Sequence, residues 1–410
     1  MTAKQEERET NVTFFSGYKW RPHLKLTKIV TPDQPFSLIR GGELPEIIVA
    51  YETYGKLSAQ KDNVILVTHA LTGDSHPAAH DQYDEKGWWE PLIGPGRPID
   101  TDRFFVICPN VLGGCQGTTG PASPDPETGK AYGMSFPEVT IRDMVRVQRL
   151  LLERLDIHHL ALVIGGSMGG MQAMEWAVTF PGFADGVVNI AAPGYATPQA
   201  IAYNTVGRQM VMMDPAWNRG DYYGGDGPRQ GLATARALAM ITYQSDASMM
   251  AKFGRRERND RFEVENYLEY QGESLVKRFD ANTYLCLLRA LDLHDLGTGY
   301  ASYETALARI EARVLTVGVS SDILYPPTQQ QELVQRMKQM RVRGSYAEID
   351  SPYGHDGFLI DFHLLRPLLT RFVNQIAPAP REPWRRNLFR PQNMAYFGAR
   401  LVSGIDGSYC

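Results

Sequence analysis

Four cysteines in 410 residues, Cys108, Cys115, Cys286 and Cys410, are too few and too scattered for a disulfide framework. None has the paired spacing of a metal ligand, so a reducing cytoplasm is the expected setting. No apolar run approaches the roughly 18 residues that cross a bilayer, and no membrane association is expected. Neither sign of charge dominates: 42 Lys and Arg against 46 Asp and Glu leave a net charge of −4, which argues against nucleic acid as a partner. The N-terminal MTAKQEERET is polar and acidic, unlike a secretory or transit leader. Internal repeats and low-complexity tracts are missing too. What remains, 43% hydrophobic and 21% charged, is the composition of an ordinary globular protein. The chain is long for one core, so one domain carrying a large insertion is expected.

The most informative stretch is LALVIGGSMGGMQAMEWA at 160–177. A short apolar run with branched side chains reads as a buried strand, a glycine-flanked serine follows, and MQAMEWAV then reads as a helix without a breaker. Gly165-Gly166-Ser167-Met168-Gly169 therefore fits the G-x-S-x-G nucleophile elbow in the strand–turn–helix setting that the motif requires. Small neighbours let strand and helix pass closely at a strained turn, and the helix N-terminus favours negative charge beside the serine hydroxyl.

Around this elbow the pattern predicts strands at 63–68, 104–108, 186–191, 313–319 and 345–349, with helices at 139–155, 328–340 and 357–375. A hairpin is expected over 38–54, turning at Gly41-Gly42. Strands separated by helices mean a mostly parallel, doubly wound sheet. From about 195 to 305 helical stretches run with no convincing strand, which reads as a helical cap inserted after the sixth strand. The expected organisation is a core at 13–194 and 306–377, a cap at 195–305 and a tail at 378–410, with residues 1–12 disordered.

A serine nucleophile needs a base, and the base an orienting carboxylate. In this architecture the chain order is Ser, acid, His. Of nine histidines only His294, His355 and His363 follow Ser167. His294 falls in the cap and His363 inside the last helix, whereas His355 lies in SPYGHDGF, the loop after the last strand. Asp322, in the loop after the preceding strand, is the expected acid, with Asp350 as its competitor. The oxyanion hole needs two backbone donors: the N–H of Met168 and, from the loop after the 63–68 strand, that of Leu71. His69 in the same loop reads as a structural hydrogen-bonding residue. These residues describe an acyl-transferring serine enzyme of the α/β-hydrolase type and leave open whether water or another nucleophile accepts the acyl group.

Further runs carry a resemblance: HALTGDSH at 69–76, FFVICPNVLGGCQGTTGPAS at 104–123, DPAWNRGDYY at 214–223, RFDANTYLCLLRALDLHD at 278–295, SSDILYPP at 320–327 and GHDGF at 354–358. With the elbow, and over roughly residues 15–376, the chain resembles the homoserine O-acetyltransferase family of methionine biosynthesis. The resemblance puts the family's triad on Ser167, Asp322 and His355. It implies that Arg208 binds the homoserine carboxylate and that Asp356 meets its amino group. It implies a ping-pong mechanism: acyl-CoA acylates Ser167, CoA leaves, and the hydroxyl of L-homoserine takes the acyl group. CoA is then a co-substrate, no metal or other cofactor is implied, and the expected assembly is a homodimer. The glycine-rich 112–120 loop resembles acetyl-using members. Homoserine or serine O-succinyl transfer, and a carboxylesterase using water, are the alternative readings. The arginine-rich FGRRERNDR at 253–261 fits either CoA phosphates or a solvated helix face.

Overall fold

The computed structural model describes residues 21–376. Residues 1–20, the tail at 378–410 and Cys410 lie outside the described residues, and so do the readings made on them. Eight strands form one sheet: β1 (Lys25–Val30), β2 (Ile47–Tyr54), β3 (Val64–Thr68), β4 (Phe105–Pro109), β5 (Leu160–Gly166), β6 (Ala184–Ile190), β7 (Arg313–Val319) and β8 (Gly344–Ile349). Their spatial order is β1-β2-β4-β3-β5-β6-β7-β8. β2 runs antiparallel to both β1 and β4, and every later pairing is parallel.

The helices are α1 (Ile141–Arg154), α2 (Met168–Thr179), α3 (Pro198–Met213), α4 (Arg229–Tyr243), α5 (Asp246–Lys252), α6 (Glu263–Val276), α7 (Ala281–Asp292), α8 (Tyr303–Leu307), α9 (Pro327–Gln339), α10 (Gly357–Ile360) and α11 (Phe362–Gln375). One sheet face packs on α1, α2 and α9 through residues such as Val145, Leu151, Met171, Trp176 and Leu333. The other packs on α11 and the 89–104 segment through Leu365, Leu369, Phe372, Trp89 and Ile99. α1 begins where the sequence predicts: Thr140 Oγ accepts from the Asp143 N–H, and the Asp143 carboxylate accepts from the Thr140 N–H, satisfying two orphan donors at once.

Helices α3 to α8 stand between β6 and β7 as a cap, after the sixth strand as expected. The cap's apolar side chains, among them Val211, Leu232, Tyr284 and Leu288, are continuous with the cluster on the α1–α2 face. Its entry and exit are joined: Tyr195 and Asp295 form an antiparallel bridge, the Ala196 N–H donates to the His294 carbonyl at 2.8 Å and the Leu296 N–H to the Gly194 carbonyl at 3.0 Å.

Three expectations need correction. The Gly41-Gly42 turn closes only a two-residue ladder, Phe36–Ser37 against Glu43–Leu44. The long strand β2 pairs instead with β1, an edge strand that local pattern conceals because KLTKIV carries two exposed lysines and no clean alternation. Within the cap, Glu257–Arg258 and Arg261–Phe262 form a minimal hairpin, where Asn259 and Asp260 take positive φ. The last helix is interrupted at Asp361 (φ −87°, ψ 53°), which separates α10 from α11.

A buried ion pair fastens the cap's return to the core. Arg142 Nε donates to Glu175 Oε2 at 2.8 Å, and the same guanidinium donates to the carbonyls of Leu296 and Thr298. Both side chains are below 9% exposed, so removing one leaves an uncompensated charge in the interior. Arg142→Met is expected to destabilise the fold by about 3–5 kcal/mol, read as a lowered urea midpoint. Adding Glu175→Leu should recover part of the loss.

Candidate active site

Parallel register brings four strand ends to one edge of the sheet. Thr68 lies beside Gly165, Gly166 beside Ile190 and Val319 beside Ile349. The loops after β3, β5, β7 and β8 therefore open together, and each supplies one part of the site.

Ser167 is the residue between β5 and α2, with φ 57° and ψ −126°, a combination that L-residues rarely hold. Its N–H donates to the Ile190 carbonyl at 2.9 Å, which ties the turn to β6. The flanking glycines have no room for a side chain. A Cβ on Gly166 would enter the Phe358 ring, and one on Gly169 the carbonyl of Thr68.

His355, from the loop after β8, places Nε2 at 2.8 Å from Ser167 Oγ. Its Nδ1 lies 2.6 Å from Asp322 Oδ2. With Nδ1–H donating to Asp322, Nε2 is left to accept the serine proton. The other Asp322 oxygen accepts the N–H groups of Leu324 and Tyr325, each at 2.9 Å, so the carboxylate is held at both ends. Asp350 instead accepts from Ser320 Oγ at 3.0 Å and takes no part in this chain. Burial opposes charging of His355, but the charge and hydrogen bond of Asp322, with the charge of Asp356, outweigh it and raise its pKa above the ordinary value. Tyr325, Phe358 and Tyr243 ring the imidazole at 5.3, 5.6 and 5.7 Å between centroids. The remaining candidates are accounted for: His294 is buried with Nε2 on the Pro193 carbonyl, and the side chain of His363 is 76% exposed.

Leu71 follows β3 and lines the same cavity as Ser167, while Met168 opens α2. Among the described residues no other group takes the N–H of either. His69 is buried and neutral: burial lowers its pKa, its Nδ1 lies 2.8 Å from the Ala70 carbonyl and its Nε2 accepts the Val111 N–H at 3.2 Å. That is the structural role expected of it.

The cavity above Ser167 is largely walled by the cap, with Tyr203, Asn204, Gly207, Ala239, Tyr243, Tyr284 and Leu288 facing Tyr325 and Leu324 of the core. Arg208 follows Gly207 on α3, and its guanidinium is engaged: Nη1 pairs with the buried Asp292 carboxylate and Nη2 donates to Thr205 Oγ at 3.1 Å. Asn204 donates to the other Asp292 oxygen at 2.8 Å. Asp356 accepts from Gln244 Nε2 at 2.7 Å. Burial raises its pKa, against His355, Arg236 and Gln244, which lower it.

Sequence reasoning missed Asp292 and Gln244, which hold those two side chains, and a cluster behind the β3 loop. There the buried Glu52 accepts at one oxygen from Tyr54 OH at 2.9 Å and meets His76 Nδ1 at 2.8 Å and His80 Nε2 at 2.9 Å. Among the described residues, Glu52, His76 and His80 are the grouping whose donor atoms could converge on a metal. A single oxygen shared at hydrogen-bond distance, with the Arg21 cation close enough to feel Glu52, describes a charged hydrogen-bond cluster better. The available signal was the alternation in β2, which sets Ala50, Glu52 and Tyr54 on one buried face.

An eight-stranded, mostly parallel sheet with Ser, Asp and His converging at its C-terminal edge defines an α/β hydrolase, and a family profile described as the alpha/beta hydrolase fold matches residues 63–362. Homoserine O-acetyltransferase of Symbiobacterium thermophilum is 50% identical over 364 residues, covering 86% of this chain and 95% of that protein. The enzyme of the same name from Deferribacter desulfuricans is 50% identical over 360 residues, 85% and 96% of the two chains. The chain belongs to the homoserine O-acetyltransferase family. Among solved structures, that of homoserine O-acetyltransferase from Bacillus anthracis superposes with a TM-score of 0.79 at 29% identity, covering 86% of this chain and 98% of that one. Esterase E22 also gives 0.79, at 31% identity over 85% and 100%.

The raised pKa of His355 has a kinetic consequence. The ring must be neutral to take the serine proton, so activity falls as pH drops through its pKa. The acid limb of kcat/KM on p-nitrophenyl acetate is expected above the ordinary histidine value of about 6.5. Asp322→Asn removes the main stabiliser of the imidazolium and should shift that limb to lower pH while cutting the rate by roughly 10⁴-fold. A limb that stays in place in the Asn variant would detach Asp322 from the histidine.

Proposed function

We propose that this enzyme transfers the acetyl group of acetyl-CoA to the hydroxyl of L-homoserine through an acyl-serine intermediate, giving O-acetyl-L-homoserine for methionine biosynthesis. The carrying observation is the chain of hydrogen bonds from Ser167 through His355 to Asp322, opening into a cap-walled cavity in a chain half identical to enzymes of that name. His355 takes the Ser167 proton as Oγ attacks the thioester carbonyl. The N–H groups of Leu71 and Met168 hold the oxyanion, and CoA leaves as the thiol. His355 next takes the homoserine hydroxyl proton, that oxygen attacks the acyl-serine, and Ser167 is regenerated. Arg208 binds the homoserine carboxylate and Asp356 its amino group. Asp292 fixes the guanidinium in place beforehand, which lowers the ordering cost of the contact. No metal or other cofactor enters. The few cysteines favour a cytoplasmic setting, and the family likeness carries a homodimer.

Hydrolysis by water is the second reading, favoured by the equal structural likeness to esterase E22. Following free thiol separates the two. Release from acetyl-CoA is expected to depend on homoserine, and serine or succinyl-CoA should substitute poorly. Release at the same rate in water alone would make the enzyme an esterase. Ser167→Ala should abolish homoserine-dependent turnover, a loss of order 10⁴-fold or more, and acetyl-CoA alone should add an acetyl mass to the peptide holding Ser167.

Arg208 should matter only in the second half-reaction. Arg208→Lys keeps a cation for Asp292 but loses the planar fork. Rapid-quench acylation by acetyl-CoA is expected at near the normal rate, with kcat/KM for homoserine down roughly 10²-fold. Loss of acylation itself would move Arg208 out of the acceptor pocket.

A further inference from the structure

Leu71 and Met168 come from separate segments, the loop after β3 and the first turn of α2. Two donors serve one oxyanion only if their spacing is fixed. A chain of buried amides spans the gap. Trp176 Nε1 donates to Gln148 Oε1 at 2.7 Å, and Gln148 Nε2 donates to Gln172 Oε1 at 2.6 Å. Gln172 Nε2 then donates to the carbonyls of His69 at 3.1 Å and Met168 at 3.2 Å. Trp176, Gln148 and Gln172 are each no more than 1% exposed.

The chain has a direction. An indole N–H donates and never accepts, so Gln148 turns its oxygen to Trp176 and its NH2 to Gln172. Gln172 must then turn its own oxygen to Gln148, which leaves its hydrogens for the two carbonyls. Turning the Gln172 amide over would set its oxygen against both. Such a network adds little net stability over an apolar core of the same shape, but when fully satisfied it fixes one arrangement. The arrangement it fixes surrounds the oxyanion donors. The Ala70 carbonyl and the Leu71 N–H share one planar peptide and point opposite ways. His69 Nε2 accepts from Val111, so Nδ1 donates to that Ala70 carbonyl at 2.8 Å, and the Gly73 N–H donates to the same oxygen at 2.9 Å. Gln172 holds the carbonyl just before it, that of His69, and on α2 the carbonyl of Met168, the residue whose N–H is the second donor. Loop and helix meet here backbone to backbone: a Cβ on Gly169 would lie 2.1 Å from the Thr68 carbonyl oxygen and 3.2 Å from that of His69.

We infer that Gln172 is a positioning residue for the oxyanion hole, its amide joining the two donor-bearing segments in an orientation set by Gln148 and Trp176. The inference rests on Leu71 and Met168 as the donors and holds whether homoserine or water takes the acyl group. The oxyanion forms at the same place in acylation and deacylation, so both steps depend on this one spacing. Gln172 touches no reacting atom; it acts through where the two N–H groups stand.

The test compares p-nitrophenyl acetate with its thionoester, in which sulfur replaces the carbonyl oxygen. Sulfur is larger and a weak acceptor, so it gains little from donors placed for oxygen. The readout is the ratio of kcat/KM for the oxygen ester to that for the thionoester, followed as p-nitrophenolate release. Damage to the triad slows both esters and cancels. The wild type should favour the oxygen ester. Gln172→Met keeps the length of the side chain and loses the amide. It should slow the oxygen ester roughly 10²-fold, the scale of one lost or misplaced donor, and leave the thionoester nearly unchanged. Trp176→Phe keeps both glutamines but frees the Gln148 amide to turn, and should lower the ratio about tenfold, the scale of one hydrogen bond. It carries the test if Gln172→Met does not fold. Arg142→Met, destabilised without touching this chain, should keep the wild-type ratio. An unchanged ratio in Gln172→Met or in Trp176→Phe overturns the inference, as does an equal fall in Arg142→Met, which would make the effect a general loosening. A wild type with no preference for the oxygen ester would withdraw Leu71 and Met168 as donors, and this role with them.

Discussion

Ser167 occupies a backbone conformation that costs on the order of 1–3 kcal/mol, and much of its neighbourhood holds it there. The Ile190 carbonyl takes its N–H. Thr68 Oγ reaches the carbonyls of Gly169 and Ile164 at 2.8 and 3.2 Å, joining β3, β5 and the first turn of α2. Phe358, which forbids a side chain at Gly166, is the same ring that packs against His355. The strain of the nucleophile and the position of its base thus depend on a common set of contacts. This is why the site is built on strand ends and not on free loops.

Much of the site was legible because its signals are local. The elbow is contiguous, and its glycines and serine carry their geometry in their identity. Asp322 and His355 could be assigned from chain order together with the strands before them, and the structure brings both to Ser167. What stayed hidden depends on partners far away in sequence. The partner of Arg208 is Asp292, on another helix of the cap. Glu52 looks like one polar residue in an alternating strand until His76 and His80 arrive from the loop. β1 escaped detection because an edge strand needs only one buried face, while the conspicuous Gly41-Gly42 pair suggested a local hairpin that tertiary pairing with β1 displaced.

Charge divides the cavity by function. The buried carboxylates Asp322 and Asp356 lie on the core side with His355, each carrying its own hydrogen-bond donors. Arg208 is set from the cap by Asp292, and the walls between are apolar or aromatic. Burial strengthens each of these interactions and penalises any that is left unpaired.

The joined neck of the cap has an evolutionary meaning. Residues 194–196 and 294–296 lie side by side, bridged at Tyr195 and Asp295. An insertion whose ends already meet adds little closure entropy to its host and leaves the sheet's register untouched. The cap can therefore diverge, lengthen or be replaced as a cassette, while serine, histidine and aspartate remain on the scaffold beneath. The cap's share of the cavity wall can then change while the serine, histidine and aspartate keep their places on the strand ends.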